Sequence, residues 1–413
     1  MNVFPPGFLW GAATAAHQVE GDNLNSDLWV LEHVQPTLFA EPSLGACDHY
    51  HRYAEDIRLL ARLGLNSYRF SIEWARIEPE RNYFSLPALE HYRRMLAACR
   101  ENGVTPMVTF HHFSSPRWFA ALGGWERATA ADFFVRYCER CAKHLGDLID
   151  FAITFNEPNL PMLLRWLKYI DIPYTTVRQM TKQAARAAGS DRFGCFFLGD
   201  ARKLEDIMIP THRRARAVLK SGPGDYPVGV SVALQDEQAV GPRSQRDRKC
   251  TEVYEPWLAA AAESDFLGVQ SYTRCRVGKN GDLGPEPGVE LTQMGYEFWP
   301  EALEACVRYA SSKAAVPIYI TENGVSSADD SRRIEYIRRA LTGVLRCLAD
   351  GIDVRGYIHW SLLDNFEWVM GYRPQFGLVA VDRESQQRSV KPSAHYLGEI
   401  ARRNRIPDFL PAR

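Results

Sequence analysis

The sequence has almost no net charge. Its 49 lysine and arginine residues are balanced by 50 aspartate and glutamate residues, so it lacks the basic excess of proteins that bind nucleic acids or anionic membranes. This balance favours a neutral substrate and no nucleic-acid partner. The sequence also lacks an apolar run long enough to span a membrane, and the first ten residues carry no basic leader. We therefore expect no membrane span and no signal peptide.

The nine cysteines are odd in number and scattered along the chain, unlike a disulfide framework. Cys138 and Cys141 form a C-x-x-C pair within a helical pattern. They could be a redox or metal pair, or two small buried residues one helical turn apart. Because no second pair or histidine cluster completes a zinc site, we expect no metal and no cofactor. The cysteine usage is typical of the reducing cytoplasm.

Short apolar segments alternate with amphipathic segments along the chain. The apolar segments predict eight strands, at Phe8–Ala13, Asn66–Ile72, Thr105–His112, Phe151–Glu157, Val228–Leu234, Phe266–Gln270, Pro317–Glu322 and Arg355–Trp360. The amphipathic segments predict helices at Tyr53–Leu63, Leu86–Asn102, Ala130–Leu145, Thr211–Lys220, Glu252–Ala262, Pro300–Ser312, Ser331–Asp350 and Ser393–Asn404.

This alternation predicts a parallel sheet, which could be an open doubly wound sheet or a closed barrel. The first strand leads into Gly11-Ala12-Ala13-Thr14, which is not the glycine-rich phosphate turn common in open sheets. Polar and aromatic residues accumulate where the strands end, and a barrel would gather them around one mouth: Gln18, Arg69, His112, Glu157, Tyr272, Glu322 and Trp360. We therefore predict a single α/β domain over residues 1–413, a (β/α)8 TIM barrel with its active site at the carboxyl ends of the strands.

Two glutamates end apolar segments of this pattern. Glu157 precedes Pro158, and Glu322 precedes an Asn-Gly turn signal. Glu157 could instead be a capping or surface glutamate at the start of a helix, and Glu322 could be a strand-end acid held by turn amides. If both face one cleft, one can donate a proton while the other attacks an anomeric carbon, as cleavage of a glycosidic bond requires. Neighbours in a strand point to opposite faces, so Asn156 and Glu157 both face the mouth only if a bulge or the strand end turns one of them.

Several motifs in chain order resemble those of glycoside hydrolase family 1, which includes many β-glucosidases and β-galactosidases. The match runs along nearly the whole chain and is specific because all the motifs occur in the right order. They are FLWGAAT at Phe8–Thr14, YRFSIEW at Tyr68–Trp74, TFNEP at Thr154–Pro158, ITENG at Ile320–Gly324 and HWSLLDNFEW at His359–Trp368.

The resemblance implies a role for each matching position. Glu157 matches the general acid/base, and Glu322 matches the nucleophile of a retaining, double-displacement mechanism. Arg69 and Tyr272 match groups that orient the nucleophile and keep it ionised, and Asn156 matches the residue that binds the 2-hydroxyl. The remaining sugar-binding positions are Gln18, His112, Trp360, Glu367, Trp368 and Phe376. The family also predicts a non-proline cis peptide bond after Trp360.

The chain departs from the family pattern in three places. Gln270 stands where the family commonly has asparagine, and Phe113-Ser114 replace a common tryptophan and aspartate. The segment Asn159–Asp200, which should border the leaving group, does not resemble the usual stretch. The bound sugar is therefore more predictable than the group attached to it. Glu367 favours an unphosphorylated sugar, since a carboxylate there would repel a phosphate dianion.

The leading hypothesis is a retaining exo-β-glycosidase. It would hydrolyse terminal non-reducing β-D-glucosyl, galactosyl or fucosyl residues of small β-glycosides or oligosaccharides. One alternative is an enzyme that mainly transfers the glycosyl group to an acceptor other than water, which the unusual Asn159–Asp200 segment motivates. The other is a non-catalytic sugar-binding barrel, which should lack a catalytic carboxylate.

Overall fold

Eight parallel strands close into a barrel in the computed structural model, which describes residues 3–167 and 173–407. Strand β1 is hydrogen-bonded to both β8 and β2, and this pairing completes the ring. The predicted (β/α)8 fold is therefore confirmed, and every predicted strand is present with its ends within one residue. The strands are β1 (Leu9–Thr14), β2 (Ser67–Ser71), β3 (Thr105–His111), β4 (Phe151–Asn156), β5 (Val228–Ala233), β6 (Phe266–Gln270), β7 (Ile318–Asn323) and β8 (Val354–Trp360).

Large apolar side chains fill the end of the barrel where the strands begin. Met107, Ile153, Phe266 and Tyr319 come from four different strands and form one buried cluster. Each lies in the first half of its strand, so the cluster occupies the end where the strands begin. Because that end is packed, a binding cavity can open only at the carboxyl ends, as in other barrels of this kind.

Helices form the outer layer, and their ends carry the expected signals. In the helix Leu86–Glu101, the Ser85 hydroxyl accepts a hydrogen bond from the Ala88 amide at 3.3 Å, and Pro87 lies in the first turn. Gly103 follows with a φ of 67°, a conformation that favours glycine. The α-helices are Ala16–Val19, Asp27–His33, His49–Leu63, Trp74–Ile77, Leu86–Glu101, Arg117–Ala121, Ala130–Leu145, Leu160–Trp166, Tyr174–Ala187, Ala201–Ser221, Arg246–Val253, Glu255–Ala262, Ala302–Lys313, Asp330–Ala349 and Pro392–Arg403.

Three helix predictions were wrong in their bounds. The predicted helix Tyr53–Leu63 begins earlier, at His49. The predicted helix Thr211–Lys220 is only the second half of Ala201–Ser221, which contains Pro210 in its interior. Proline usually ends a helix, because it lacks an N–H and clashes with the preceding turn, but packing against Ala130–Leu145 carries this helix past it. The predicted helix Glu252–Ala262 is two helices that meet at Tyr254.

Two small sheets and several short turns lie outside the barrel sheet. A three-stranded sheet joins Asp236–Ala239, Arg274–Gly278 and Gly281–Leu283, and Val379–Val381 pairs with Arg388–Val390. Short 3-10 turns occur at Gly124–Glu126, Gly146–Leu148, Phe196–Leu198 and Trp368–Met370. No helix in the described part of the chain is both long enough and apolar enough to cross a membrane. All nine cysteines are buried and unpaired, including Cys138 and Cys141 on the helix Ala130–Leu145.

Candidate active site

A cavity of about 180 Å³ lies at the carboxyl end of the barrel. Eight of the eleven predicted site residues line it: His112, Glu157, Tyr272, Glu322, Trp360, Glu367, Trp368 and Phe376. The other three lie behind this lining. Arg69 bonds to Glu322 and Gln18 bonds to Glu367, both of which line the cavity, and Asn156 bonds to Arg69. The structure therefore brings together every residue that the sequence singled out for the site.

Glu157 reaches the cavity because β4 ends at Asn156. Its backbone has a φ of 44°, in the left-handed region that non-glycine residues seldom adopt. This turn allows Asn156 and Glu157 to face the same side, which a continuing strand would forbid. The amide of Glu157 is held by the Ser231 carbonyl at 2.9 Å. Such a conformation costs about 1–3 kcal/mol, so the surrounding structure must hold it in place.

Glu322 lies near the end of β7, with both carboxylate oxygens occupied. Arg69 donates from Nη1 to Oε1 at 2.5 Å, and the Tyr272 hydroxyl donates to Oε2 at 2.6 Å. The Nε2 atom of His112 lies 3.9 Å from Oε1. Only about 4% of Glu322 is exposed. These contacts leave the carboxylate fixed in orientation at the edge of the cavity.

The two glutamates have different electrostatic surroundings. Burial and the negative charge of Glu322 raise the pKa of Glu157 well above its ordinary range. Burial also raises the pKa of Glu322, but Arg69 and the Tyr272 hydroxyl oppose that effect. Glu322 therefore loses its proton before Glu157 does. The pair is arranged as one carboxylate beside one carboxylic acid.

Asn156 is held by two donors and keeps one group free. Its Oδ1 atom accepts hydrogen bonds from Arg69 Nη2 and, at 2.8 Å, from Gln270 Nε2. Its Nδ2 atom is buried and has no hydrogen-bond partner among the described residues. A buried donor without a partner costs free energy, which is recovered when a ligand oxygen accepts from it. Gln270, which sequence analysis noted only as a departure from the family, therefore positions Asn156.

A second polar group is formed by Gln18, His112 and Glu367. The Nε2 atom of Gln18 donates to the Phe366 carbonyl at 2.7 Å and to Glu367 at 3.3 Å, and its Oε1 atom is buried without a described partner. Burial lowers the pKa of His112, so its ring is neutral. Burial and Glu322 raise the pKa of Glu367 to about 8. The carboxylate charge of Glu367 that would repel a phosphate is therefore present only at alkaline pH. This weakens the inference from the sequence that Glu367 favours an unphosphorylated sugar.

Aromatic side chains form much of the remaining cavity wall. Trp360 stacks on His112 with ring centroids 5.7 Å apart, and Phe376 packs edge-on against Tyr272 at 5.9 Å. The peptide bond from Trp360 to Ser361 is cis, which confirms that prediction. Trp368 lies in the turn after β8, and its backbone has a φ of 49°, in the left-handed region. Aromatic faces of this kind suit the apolar faces of a pyranose ring.

Five further residues line the cavity that sequence analysis did not assign to it: Phe113, Leu160, Phe197, Met294 and Tyr296. Phe113 and Leu160 follow predicted site residues by one and three positions. Their closeness to those residues in the sequence could have indicated that they line the cavity. Phe197 lies in the atypical segment Asn159–Asp200, of which residues 168–172 are outside the described residues. Met294 and Tyr296 come from a long connection that carries no sequence signal for the site.

Another group of acidic side chains lies outside the cavity lining. Ligand atoms of Glu237, Cys275 and Asp282 lie within 4.8 Å of one another, the only such metal-type group found among the described residues. The Lys249 ammonium is 2.8 Å from both carboxylates. A protein cation therefore already pairs with both carboxylates of this cluster. A larger cavity of about 480 Å³, bordered by Arg81, Arg117 and Trp118, contains none of the predicted site residues.

The order of motifs and the barrel geometry agree with a known family. The family model described as glycosyl hydrolase family 1 matches residues 1–187 and 218–406. The chain belongs to this family. It is a glycoside hydrolase, and this membership replaces the alternative of a non-catalytic sugar-binding barrel.

Several relatives that match nearly the whole chain are β-glucosidases. Beta-glucosidase A of Thermotoga maritima is 31% identical over 457 aligned positions, covering 99% of this chain and 100% of that protein. The solved apo structure of a β-glucosidase designated 1317 is 51% identical, with a TM-score of 0.94 and coverage of 97% of this chain and 100% of that one. A structure of the Thermotoga maritima enzyme in complex with deoxynojirimycin is 27% identical, with a TM-score of 0.86 and coverage of 98% and 100%.

The family model leaves residues 188–217 unmatched. This gap includes Phe197 and overlaps the end of the segment that sequence analysis identified as atypical. It follows that part of the cavity wall in this glycoside hydrolase comes from a stretch that the family pattern does not describe.

Proposed function

We propose that this family 1 protein is a retaining exo-β-glycosidase that hydrolyses terminal non-reducing β-D-glucosyl, galactosyl or fucosyl residues. The observation that carries the proposal is the pairing of Glu157 and Glu322 in one cavity with opposed electrostatic surroundings. The whole chain would serve as one catalytic domain. Its substrate would be a small β-glycoside or oligosaccharide, consistent with a small, largely aromatic cavity.

In the first step, a carboxylate oxygen of Glu322 attacks the anomeric carbon while the bond to the leaving oxygen breaks. Glu157 gives its proton to that oxygen, and the sugar remains bound to Glu322 as an ester. Arg69 and Tyr272 hold the nucleophile at 2.5 and 2.6 Å. The buried Nδ2 group of Asn156 would donate a hydrogen bond to a sugar hydroxyl oxygen.

In the second step, Glu157 acts as a base. Ester formation removes the charge of Glu322, which is one cause of the raised pKa of Glu157, so Glu157 ionises more readily in the intermediate. It then takes a proton from water, whose oxygen attacks the anomeric carbon and releases Glu322. Two displacements at the same carbon retain its configuration.

Azide rescue tests both assignments with two variants. Glu322→Gly should reduce hydrolysis of an aryl β-glycoside by about 10⁴-fold or more, and azide should restore turnover with an α-glycosyl azide as product. Glu157→Ala should instead yield the β-glycosyl azide, because azide then intercepts the ester. Normal hydrolysis by Glu322→Gly, or the same azide anomer from both variants, would contradict the proposal.

A further inference from the structure

The leaving-group side of the cavity can be located from the acid. A general acid protonates the departing oxygen, so the leaving group must lie beside Glu157. Leu160 lies three residues further on, and its amide donates to the Glu157 carbonyl at 2.9 Å. The helix Leu160–Trp166 that begins there packs against the turn Phe196–Leu198. Leu160 and Phe197 are therefore neighbours of the acid in the cavity wall.

Phe113 extends this wall. Its ring centroid is 4.8 Å from that of Phe197 and 5.3 Å from that of Trp368. Phe113 has a φ of 72°, so its backbone turns sharply after His112. We call Phe113, Leu160 and Phe197 the apolar wall. It connects to the sugar-binding side through Trp368, whose ring lies 5.8 Å from Phe197.

Two polar residues that adjoin the apolar wall in the sequence, Ser114 and Asn159, are already bonded to the protein. Ser114 follows Phe113, and its hydroxyl donates to the Glu73 carboxylate at 2.7 Å. Asn159 precedes Leu160, and its side-chain amide makes two hydrogen bonds with the backbone of Ala233, at 2.8 and 3.0 Å. Neither side chain is available to a ligand without losing these bonds.

Among the described cavity-lining residues that sequence analysis did not assign to the site, Tyr296 is the polar one. Burial raises the pKa of Tyr296 well above its ordinary range, with further contributions from Tyr336, Glu367 and Glu157. A leaving sugar would bury several hydroxyl groups against the apolar wall, and buried hydroxyls without partners are unfavourable. One tyrosine hydroxyl cannot satisfy them all. An alkyl or aryl group would gain from the same contacts.

We propose that this site selects β-glycosides whose leaving group is alkyl or aryl rather than a second sugar, with Phe197 as a specificity-determining residue. This inference rests on the proposed glycosidase function and deepens it. Phe197 lies in the stretch 188–217, which the family model does not match, so the family model itself does not predict a residue at this position of the wall.

Two donors with the same glucosyl group test the proposal: hexyl β-D-glucoside and cellobiose. We expect kcat/KM of the unaltered protein to favour hexyl glucoside by about tenfold or more, from burial of the hexyl chain. Phe197→Asn should reduce that preference about tenfold, whereas Phe197→Leu should keep it within about twofold, since it retains an apolar surface. A preference for cellobiose, or an unchanged ratio in Phe197→Asn, would overturn the proposal.

Two further measurements separate this proposal from the glycosidase function. Inhibition by deoxynojirimycin, which occupies only the sugar side, should stay within about twofold in both Phe197 variants. Binding to Glu322→Gln, measured by calorimetry, compares the two glucosides without turnover, and hexyl glucoside should bind about tenfold more tightly. Equal or weaker binding would overturn the apolar specificity. Failure of the unaltered protein to hydrolyse any β-glycoside would instead overturn the proposed function and leave the binding comparison intact.

Discussion

Arg69 joins Glu322 to Asn156 across the top of the barrel. One nitrogen of its guanidinium lies 2.5 Å from Glu322 Oε1, and the other bonds to Asn156 Oδ1. Both Arg69 and Asn156 are at most 1% exposed. Because one planar group makes both bonds, the position of the proposed nucleophile is coupled to that of the amide beside the acid/base.

Arg69→Lys should uncouple the position of Glu322 from that of Asn156, because one ammonium cannot reproduce the guanidinium geometry. We expect kcat/KM for an aryl β-glycoside to fall by about 10²-fold or more, as is typical when a buried charge pair is disrupted. Lysine would oppose the effect of burial on Glu322 less than Arg69 does, so the pKa of Glu322 should rise further. The acidic limb of the pH profile of kcat/KM should therefore move to higher pH.

The control for Arg69 is an arginine in an exposed ion pair. Arg100 lies 2.8 Å from Asp150 on the surface, and Arg100→Lys should change kcat/KM by less than about twofold. An Arg69→Lys protein with an unshifted acidic limb would show that Arg69 does not set the ionisation of Glu322. Reduced activity alone would then reflect altered positioning.

The barrel and the two cavity glutamates could be predicted because they depend on local patterns. Each barrel strand is a short apolar run, and β7 ends close to Glu322, whose chemistry is recognisable from the sequence. The sequence indicated only that the backbone near Glu157 must be irregular. It did not indicate the left-handed conformation that Glu157 adopts. Its form depends on the hydrogen bond to Ser231 in the next strand, a contact between distant parts of the chain.

The cavity wall was less predictable because it depends on how long connections fold back. Phe197 and Tyr296 contact the site from segments with no regular alternation. Gln270 appeared only as a departure from the family, yet its longer side chain reaches Asn156 at 2.8 Å. The helix Tyr174–Ala187 was not predicted, although it begins directly after Pro173, a frequent position for a helix start.

Glu367 should make stability depend on pH. Its folded pKa is raised to about 8 from an ordinary 4.5, so between these values the folded state holds a proton that the unfolded state has lost. Stability from this group is therefore present below pH 4.5 and is lost as pH rises towards 8. Relative to Glu367→Gln, the unaltered protein should lose up to about 1.4 kcal/mol per pH unit in that window.

Urea unfolding at pH 5, 6, 7 and 8 would measure this difference for the two proteins. Glu384→Gln provides a matched substitution at an exposed position, and its effect should remain below about 0.5 kcal/mol at every pH. If the difference between the unaltered protein and Glu367→Gln stayed flat with pH, Glu367 would ionise normally. It would then also repel a phosphate at neutral pH, and the original argument for an unphosphorylated sugar would recover its force.

The Lys249 cluster provides a separate prediction about stability. Lys249 is fully buried on the helix Arg246–Val253, and its ammonium lies 2.8 Å from Glu237 and 2.8 Å from Asp282. Although burial lowers the pKa of Lys249, the two carboxylates raise it above its ordinary value. Burial raises the pKa of Glu237 to about 7 despite this cation. Lys249 thus links the helix to two strands of the small sheet.

Lys249→Met removes the cation and leaves both carboxylates buried, so the free energy of unfolding should fall by about 3–5 kcal/mol. Lys313→Met is the matched control, because Lys313 pairs with Glu255 at 2.7 Å on the surface and should cost less than about 1 kcal/mol. Adding Glu237→Gln to Lys249→Met should restore part of the loss, because it removes one of the two stranded charges. If the double variant were as unstable as Lys249→Met, the packing of the lysine stem, and not its charge, would account for the stabilisation.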